Sequence, residues 1–566
     1  MSLHPMGDTA YLITLEDEMS PSLLARVQAL AANLRADCLP GVVDIVPAYA
    51  SVGVFYVPEE ITVGRGELPW RVVSEWLERH LAGDAPAVKK PARAARSHVL
   101  PVCYGGDYGA DLEAVARASK LTPEAVIKLH AGETYLVAAI GFAPGFPYLL
   151  GLPKKLATPR RTTPRLRVPA GSVAIGGEQT GVYPSETPGG WQLIGRTATR
   201  LFDPERAEPA LMAQGDKVTF KPVATLPASS EVRNGLIKPD SDAAAAGGGA
   251  IEVIKPGSLT SVQDLGRRGF GALGVGVGGA LDRWAAIMAN LAVGNAPDAP
   301  LLECTYVGPI LRFEVLTVVA LGGAEVAGRP AGRPFSLVAG EELDCSSLTK
   351  GARLYLAVAG GLRVPRKMGG AGTVIGSGFG GFEGRALKAG DRLVFDPKLG
   401  AGVAGKTWRL ASPVPLVGRK ETIEVRLVPG PDWARIFKRM GPGGAERAVE
   451  SRRFELSAKS DRMGLRLAGE AFTVSGGEEG WSRPVVPGTV QLPPDGQPII
   501  LMAEGQTIGG YAQLGQVASV DLAKLAQARP GAEIVFRVSE LSTVQQARLK
   551  IAGDMARLRV GLAMQQ

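Results

Sequence analysis

Only four histidines occur in this chain, and one of them stands where chemistry could use an imidazole. His130 precedes an apolar strand, Tyr135–Ile140, that runs into Gly141-Phe142-Ala143-Pro144-Gly145-Phe146-Pro147-Tyr148-Leu149. Glycines and prolines interleaved with aromatics suit a rigid loop at a pocket edge. A histidine beside it could act as general acid or base near neutral pH. The same residues also suit a structural turn around a packed aromatic cluster. The next segment is rich in cations: Arg160, Arg161, Arg165 and Arg167 lie among Pro159, Pro164 and Pro169. Proline stiffens the backbone, and guanidinium groups offer rigid forks to carboxylate or phosphate. That pattern fits an anionic substrate or a nucleotide, and it also fits a solvated basic loop.

Polar candidates in the second half are more scattered. Asp282 stands at the start of a helix read through Leu291, where it suits a cap and dipole partner. Glu303 follows in a strand. Ser460-Asp461-Arg462 and Glu504-Gly505-Gln506-Thr507 place polar groups between strands, where turn chemistry is the simpler reading. Gly376-Ser377-Gly378-Phe379-Gly380-Gly381 lacks the Lys-Ser/Thr and the strand–helix context of a phosphate loop. No Walker motif, biotin-accepting Met-Lys-Met or ATP-grasp-like region occurs, so no biotin is expected on this chain.

These residues need a scaffold, and the chain is long enough for several domains. It has 566 residues, 45% hydrophobic and 21% charged, the balance of a globular protein. Lys+Arg exceeds Asp+Glu by 63 to 55, too mild a surplus to argue for nucleic-acid binding. The cysteines Cys38, Cys103, Cys304 and Cys345 form no C-x-x-C pair, so neither a zinc site nor a disulfide framework is expected. No signal-peptide pattern and no long apolar run appears, so a cytoplasmic protein without a membrane span is expected.

Residues 1–90 read as a small α+β domain, with a strand at Ala10–Thr14, helices at Pro21–Ala36 and Trp70–Leu81, and two strands within Val42–Val57. A helix pair is predicted at Asp111–Ser119 and Thr122–Leu129, the second capped by Thr122. Ala87–Arg96 and 236–250 read as linkers. The remainder is mostly β, with 74 glycines marking its turns. It repeats itself. Gly215-Asp216-Lys217-Val218-Thr219-Phe220, Gly390-Asp391-Arg392-Leu393-Val394-Phe395 and Gly531-Ala532-Glu533-Ile534-Val535-Phe536 share a turn glycine and a strand ending in Phe. Thr187-Pro188-Gly189-Gly190-Trp191 likewise matches Thr507-Ile508-Gly509-Gly510-Tyr511. Three related β modules follow, at 97–225, 251–415 and 420–545.

Together these strings resemble a known family. The first half, through GFAPGFPYLLGLP (141–153), PRRTTPRLRVPAGSVAI (159–175) and YPSETPGGWQLIGRT (183–197), resembles the B component of 5-oxoprolinase, also described as allophanate hydrolase subunit 1. The second, through KPGSLTSVQDLGRRG (255–269), GALDR (279–283), ANLAVGN (289–295), SDRMGLRL (460–467) and VPGTVQLPPDGQPIILMAEGQTIGGY (486–511), resembles the C component, or allophanate hydrolase subunit 2. The fused order is similar to the carboxyltransferase region of urea carboxylase, and the B component also resembles a sporulation-kinase inhibitor. The resemblance implies tandem cyclophilin-like β-barrels after the α+β unit. It implies an ATP-dependent amidohydrolase that opens 5-oxo-L-proline to L-glutamate with a separate 5-oxoprolinase A component. ATP would be a substrate, accompanied by Mg2+, and homo-oligomers are possible. Alternatives are a carboxyltransferase acting on urea or another amide with a separate biotin carrier, or a non-catalytic regulatory binding protein.

The catalytic candidates are His130, Arg165, Asp282 and Glu303. The substrate- or nucleotide-binding candidates are Arg160, Arg167, Asn290, Ser460, Arg462, Gln491 and Thr507; no metal ligands are assigned. The chain departs from the family at Gly276 and Gly278, where Pro and Ser are usual. It departs again at Gly370-Ala371-Gly372, in place of Ser-Arg-Ser, and at Ala512-Gln513, in place of Pro and a basic residue.

Overall fold

The computed structural model describes all residues except 16–19, 84–93, 227–247, 330, 398–401, 404, 419–420, 474–480 and 565–566. Most of the Ala87–Arg96 segment and of the 236–250 linker therefore lie outside the described residues. At the edge of the former, Arg96 forks onto Glu208 at 2.6 and 2.8 Å.

The N-terminal unit is a four-stranded antiparallel sheet, ordered Ser2–Pro5, Ala10–Thr14, Ser51–Tyr56, Val42–Ala48. Alternation along Ala10–Thr14 gives its two faces different work. Tyr11 and Ile13 pack with Leu23, Val27 and Leu34 of helix Pro21–Ala36 and with Trp76 and Leu77 of helix Pro69–Ala82. Ala10 and Leu12 pack instead on Val486 from the far end of the chain. Helix Pro21–Ala36 starts where Ser20 Oγ accepts the Leu23 N–H, with Pro21 in the first turn.

Two closed seven-stranded barrels follow the same strand order. The N-terminal barrel runs Ser97–Tyr104, Gln192–Arg196, Ser172–Gly176, Gln179–Val182, Pro147–Leu150, Thr134–Ile140, Lys217–Pro222. The C-terminal barrel runs Ile423–Pro429, Ala512–Val517, Thr489–Leu492, Ile499–Leu501, Gly464–Gly469, Phe454–Leu456, Glu533–Val538. In each, the repeated strand ending in or near Phe closes the barrel by pairing parallel to its first strand. The Thr-x-Gly-Gly repeat also has one structural role. It forms a two-stranded satellite, Thr187–Gly189 with Arg165–Val168 and Ile508–Gly509 with Arg483–Pro484.

The middle module, expected as a barrel over 251–415, is instead two facing sheets among the described residues. Its four-stranded sheet contains the third copy of the repeat, Arg392–Phe395, paired antiparallel to Gly249–Lys255. A five-stranded sheet faces it across one apolar core that includes Ile251, Phe313, Leu302, Leu354 and Phe395. On the outer side of the five-stranded sheet lies helix Arg283–Ala292, buried from Trp284 to Ala292. Asp282 caps it, its Oδ1 accepting the Ala285 N–H at 3.0 Å.

A helix beyond the expected modules, Leu541–Ala563, ties the end of the chain to its beginning. Arg548 pairs with Glu59 at 2.8 and 3.0 Å, and Gln545 accepts the Trp70 N–H and donates to the Asp8 carbonyl. Its inward residues Val544, Ile551, Met555, Leu558 and Leu562 have helical spacing.

Candidate functional site

The loop after strand Thr134–Ile140 is one of the places where the halves meet. Phe142 holds a left-handed φ of 66°, a conformation that a bulky side chain adopts only when its surroundings impose it. Gly145 N–H donates to the Leu273 carbonyl at 2.8 Å. A Cβ on Gly141 would lie 2.2 Å from Ile508 Cγ1 and 3.2 Å from Thr507 Oγ1, so glycine permits this approach. Behind the loop, Tyr49, Phe146, Tyr148, Tyr183 and Trp191 form an aromatic cluster joined by Ile508 of the C-terminal barrel. Trp481 packs on Tyr49 with ring centroids 5.1 Å apart. At this seam Thr507 Oγ1 and Gln491 Nε2 are buried without hydrogen-bond partners. An unpaired donor or hydroxyl in such a place is suited to a small amide.

A second element reaches the seam from the middle module. Arg267 is only 3% exposed. Its guanidinium donates to the carbonyls of Lys367, Gly370 and Gly372, the last at 2.6 Å, and lies over the Phe379 ring. Phe202 of the N-terminal half packs on that ring from the other half's side. Gly278 N–H donates to the Ala503 carbonyl, which brings the loop Gly274–Gly279 against the turn that holds Glu504 and Thr507.

Beneath lies a charged network that joins the middle module to the C-terminal barrel. Arg462 donates to Glu303, to Glu504 at 2.5 Å and to the Gly279 carbonyl at 2.7 Å. Glu303 Oε2 also accepts Tyr355 O–H and Leu281 N–H, each at 2.8 Å. Asp282 Oδ2 accepts from Gln527, whose own Oε1 accepts Ala352 and Arg353 N–H. Burial would lower the Arg462 pKa, but Glu303 and Glu504 outweigh it and hold it above its ordinary value. Burial, reinforced by Glu303, pushes the Asp282 carboxyl up to about 6 despite its hydrogen bonds. The geometry is that of a satisfied ionic rivet.

The remaining candidates occupy separate places. His130 is wholly buried in the N-terminal barrel, between Tyr104 O–H at 2.8 Å and Thr180 Oγ1 at 2.9 Å, and stacked on Phe220. Burial drops its pKa to about 3, so it is neutral at pH 7 and holds the barrel core together. Arg165 pairs with Asp111 at 2.8 Å, and Arg161 joins at 3.2 Å. Arg165 Nη1 remains buried without a partner. Arg160 lies over Trp191. Arg167 turns away to exposed Glu186. Asn290 ties the end of its helix to the Ala299 carbonyl and accepts from Asn295. Ser460 accepts the Arg466 N–H in a surface hairpin. The structure thus gathers Asp282, Glu303 and Arg462 in one network and Gln491 and Thr507 at the seam above it. The N-half arginines remain apart.

Sequence reading missed Asp111, Arg267, Tyr355 and Gln527, and noted Glu504 only as a polar turn residue; these complete the arrangements. Arg267 lies inside the KPGSLTSVQDLGRRG string, but nothing in its spacing marks it as buried. Among the described residues, no group of three or more His, Cys, Asp or Glu could hold a metal ion, and no helix is long and apolar enough to cross a membrane.

Sheet order and sequence together define the class. Residues 1–212 match the carboxyltransferase domain, subdomain C and D, and residues 273–538 match the carboxyltransferase domain, subdomain A and B. The 5-oxoprolinase B component of Bacillus subtilis is 42% identical over 221 residues, 38% of this chain and 91% of that protein. The 5-oxoprolinase C component of Escherichia coli is 37% identical over 307 residues, 53% of this chain and 94% of that protein. Urea amidolyase of Saccharomyces cerevisiae is 30% identical over 326 residues, 54% of this chain but 17% of that protein. The crystal structure of TTHA0988 superposes with a TM-score of 0.75 at 35% identity, covering 93% of this chain and 99% of that one. The chain belongs to the carboxyltransferase-domain family of the 5-oxoprolinase B and C components, with counterparts of both joined in one polypeptide.

Proposed function

We propose that this chain is the fused B–C component of an ATP-dependent 5-oxoprolinase, opening 5-oxo-L-proline to L-glutamate with a separate A component. The observation that carries this reading is coverage. One half spans 91% of a B component and the other 94% of a C component. The chemistry explains why ATP is needed. A five-membered lactam is a poor electrophile. Attack of its carbonyl oxygen on the γ-phosphorus of ATP releases ADP and leaves an activated carbon. Water adds to that carbon, and the ring C–N bond breaks as the nitrogen takes a proton. A second water then hydrolyses the resulting acyl phosphate to glutamate and phosphate.

At the seam, Thr507 Oγ1 and Gln491 Nε2 have free hydrogen-bonding capacity for the planar amide of the lactam. Arg165 Nη1, also unpartnered, is the N-half candidate for an anion, with Arg160 nearby on Trp191. Mg2+ enters this scheme only as part of the ATP substrate, and no step is assigned to it.

The test is glutamate release from 5-oxo-L-proline and ATP by this chain mixed with a candidate A component. Release that requires both proteins and ATP is the expected result. No release, with the same A component active beside separate B and C components, overturns the reading. The similarity of the second half to urea amidolyase supports a second reading, a carboxyltransferase acting with a biotin carrier. Carboxylation of urea by carboxybiotin in the presence of this chain would establish that instead.

A further inference from the structure

The buried arginines of this protein fall into two kinds. Arg462 and Arg548 are each met by two carboxylates: Glu303 and Glu504 for one, Glu59 and Asp8 for the other. Arg267 is as buried as these, yet, like Arg353, it has no carboxylate within ion-pair distance among the described residues. Its hydrogen bonds go to neutral backbone carbonyls. Asp264, the nearest acid in sequence, is already engaged by the Gly266 and Ala371 N–H groups. Glu504 is engaged by Arg462. Asp264 and Glu504 reach Arg267 only through space, and burial outweighs both to lower its pKa. A buried guanidinium without a carboxylate partner is costly, and one with an unmade hydrogen bond more so. Arg267 Nη1 has no partner at all.

The surroundings show where a partner would fit. A Cβ on Gly380 would fall 2.9 Å from Arg267 Nη2, and one on Gly370 would fall 3.2 Å from Nε. Glycine backbones line those sides of the guanidinium. On the Nη1 side, a Cβ on Gly278 would meet only Nη1 at 3.3 Å and Val374 Cγ2 at 3.9 Å within 4 Å. Apart from the orphaned donor itself, only Val374 borders that position. Nη1 itself is out of solvent contact, while the neighbouring Val277 is 39% exposed. The same side lies next to the seam, because a Cβ on Gly276 would touch the Gly505 carbonyl two residues before Thr507. Gly278 and Gly370 belong to two of the three segments where this chain departs from the family it resembles, and both border this one guanidinium.

We infer that Arg267 is a carboxylate subsite: its Nη1–H binds one oxygen of a small carboxylate ligand, beside Gly278 and Val374. Under the proposed function, on which this assignment of the ligand rests, that group is the ring carboxylate of 5-oxo-L-proline. Its lactam amide would then extend toward Gln491 and Thr507. The subsite selects amino-acid-like lactams over neutral ones, because only a carboxylate satisfies both the charge and the orphaned donor.

Titration calorimetry on the full chain tests this with 5-oxo-L-proline, 2-pyrrolidinone (the same lactam without the carboxylate) and malonate. The variants are Arg267→Lys and Arg267→Gln, each checked for fold by circular dichroism. The expected result is that wild type binds 5-oxo-L-proline at least tenfold more tightly than 2-pyrrolidinone. Both variants should lose that preference while binding of the neutral lactam is unchanged. A purely structural role would weaken both lactams alike, and that outcome overturns the subsite. Undiminished preference in the folded variants overturns it too. Arginine-dependent binding of malonate without binding of 5-oxo-L-proline upholds the subsite and overturns the substrate reading. Should both variants fail to fold, a crystal structure of wild type with malonate decides: a carboxylate oxygen at Nη1 upholds the subsite, and density elsewhere or none overturns it.

Discussion

The two closed barrels solve one problem with the same parts. In the N-terminal barrel, Asp111 at the start of helix Leu112–Ser119 takes Arg161 and Arg165 and accepts the Leu193 N–H at 2.7 Å. In the C-terminal barrel, Asp432 at the start of helix Trp433–Ile436 takes Arg435 and Arg483 and accepts the Gln513 N–H at 2.8 Å. Arg165 and Arg483 stand in equivalent satellite strands and are equally exposed, at 23% each. This repetition teaches that the Arg165–Asp111 pair is first a brace between helix, satellite and barrel wall. What differs is what the brace leaves over. Arg165 keeps an unpartnered Nη1 among the buried polar atoms and Arg483 does not. The equivalent loops also diverge. In the N-terminal barrel, Gly141–Phe146 docks by shape. In the C-terminal barrel, the loop before Gly464–Gly469 docks by charge, through Arg462.

The comparison can be broken at its strongest point first. Arg462→Ala leaves Glu303 and Glu504 buried without their cation and should cost about 3–5 kcal/mol in urea unfolding. A loss below about 1 kcal/mol would mean that the charged docking loop is dispensable.

Next, Asp111→Ala and Asp432→Ala should each cost about 2–3 kcal/mol, because each strands an arginine and orphans a backbone N–H. Losses that differ by more than about twofold would show that the braces are not equivalent.

Arg165→Ala and Arg483→Ala should each cost about 1–2 kcal/mol, since their guanidinium groups are partly exposed. Glutamate release with the A component should separate them: at matched stability, Arg165→Ala should fall at least tenfold further. Equal turnover would reduce Arg165 to the brace alone.

The remaining contrast is in pH, with opposite signs in the two halves. His130 has a folded pKa of about 3 against an ordinary 6.5. Its contribution is therefore present above pH 6.5 and is lost as pH falls toward 3. Asp282 has a folded pKa of about 6 against 3.8, so its contribution is present below pH 3.8 and is lost as pH rises through 6. Melting temperatures between pH 4 and 7 should therefore fall less steeply on acidification in His130→Gln than in wild type. The margin of wild type over Asp282→Asn should narrow as pH rises. Parallel curves in either pair would remove that residue from the titration.

The sequence by itself determined the local elements and their order. Helix Pro21–Ala36 follows from apolar spacing, the Asp282 cap from one aspartate before an apolar helix, and the barrel-closing strands from a repeated glycine-to-Phe string. These signals are local or periodic, so they are legible in a single chain. The sequence also showed the two family-like halves, because their motifs are contiguous. Tertiary structure alone decided the fate of the charges. Arg165 meets Asp111 across 54 residues, and Arg462 meets Glu303 across 159. His130 lies in a core cage, although its loop looked like a pocket edge. Arg267, inside a motif whose neighbour Arg268 is exposed, is buried without a carboxylate partner. Pairing over such distances leaves no periodic trace, and desolvation depends on what the rest of the chain packs above a side chain. That is why the electrostatics of this protein became readable only once its halves were folded against each other.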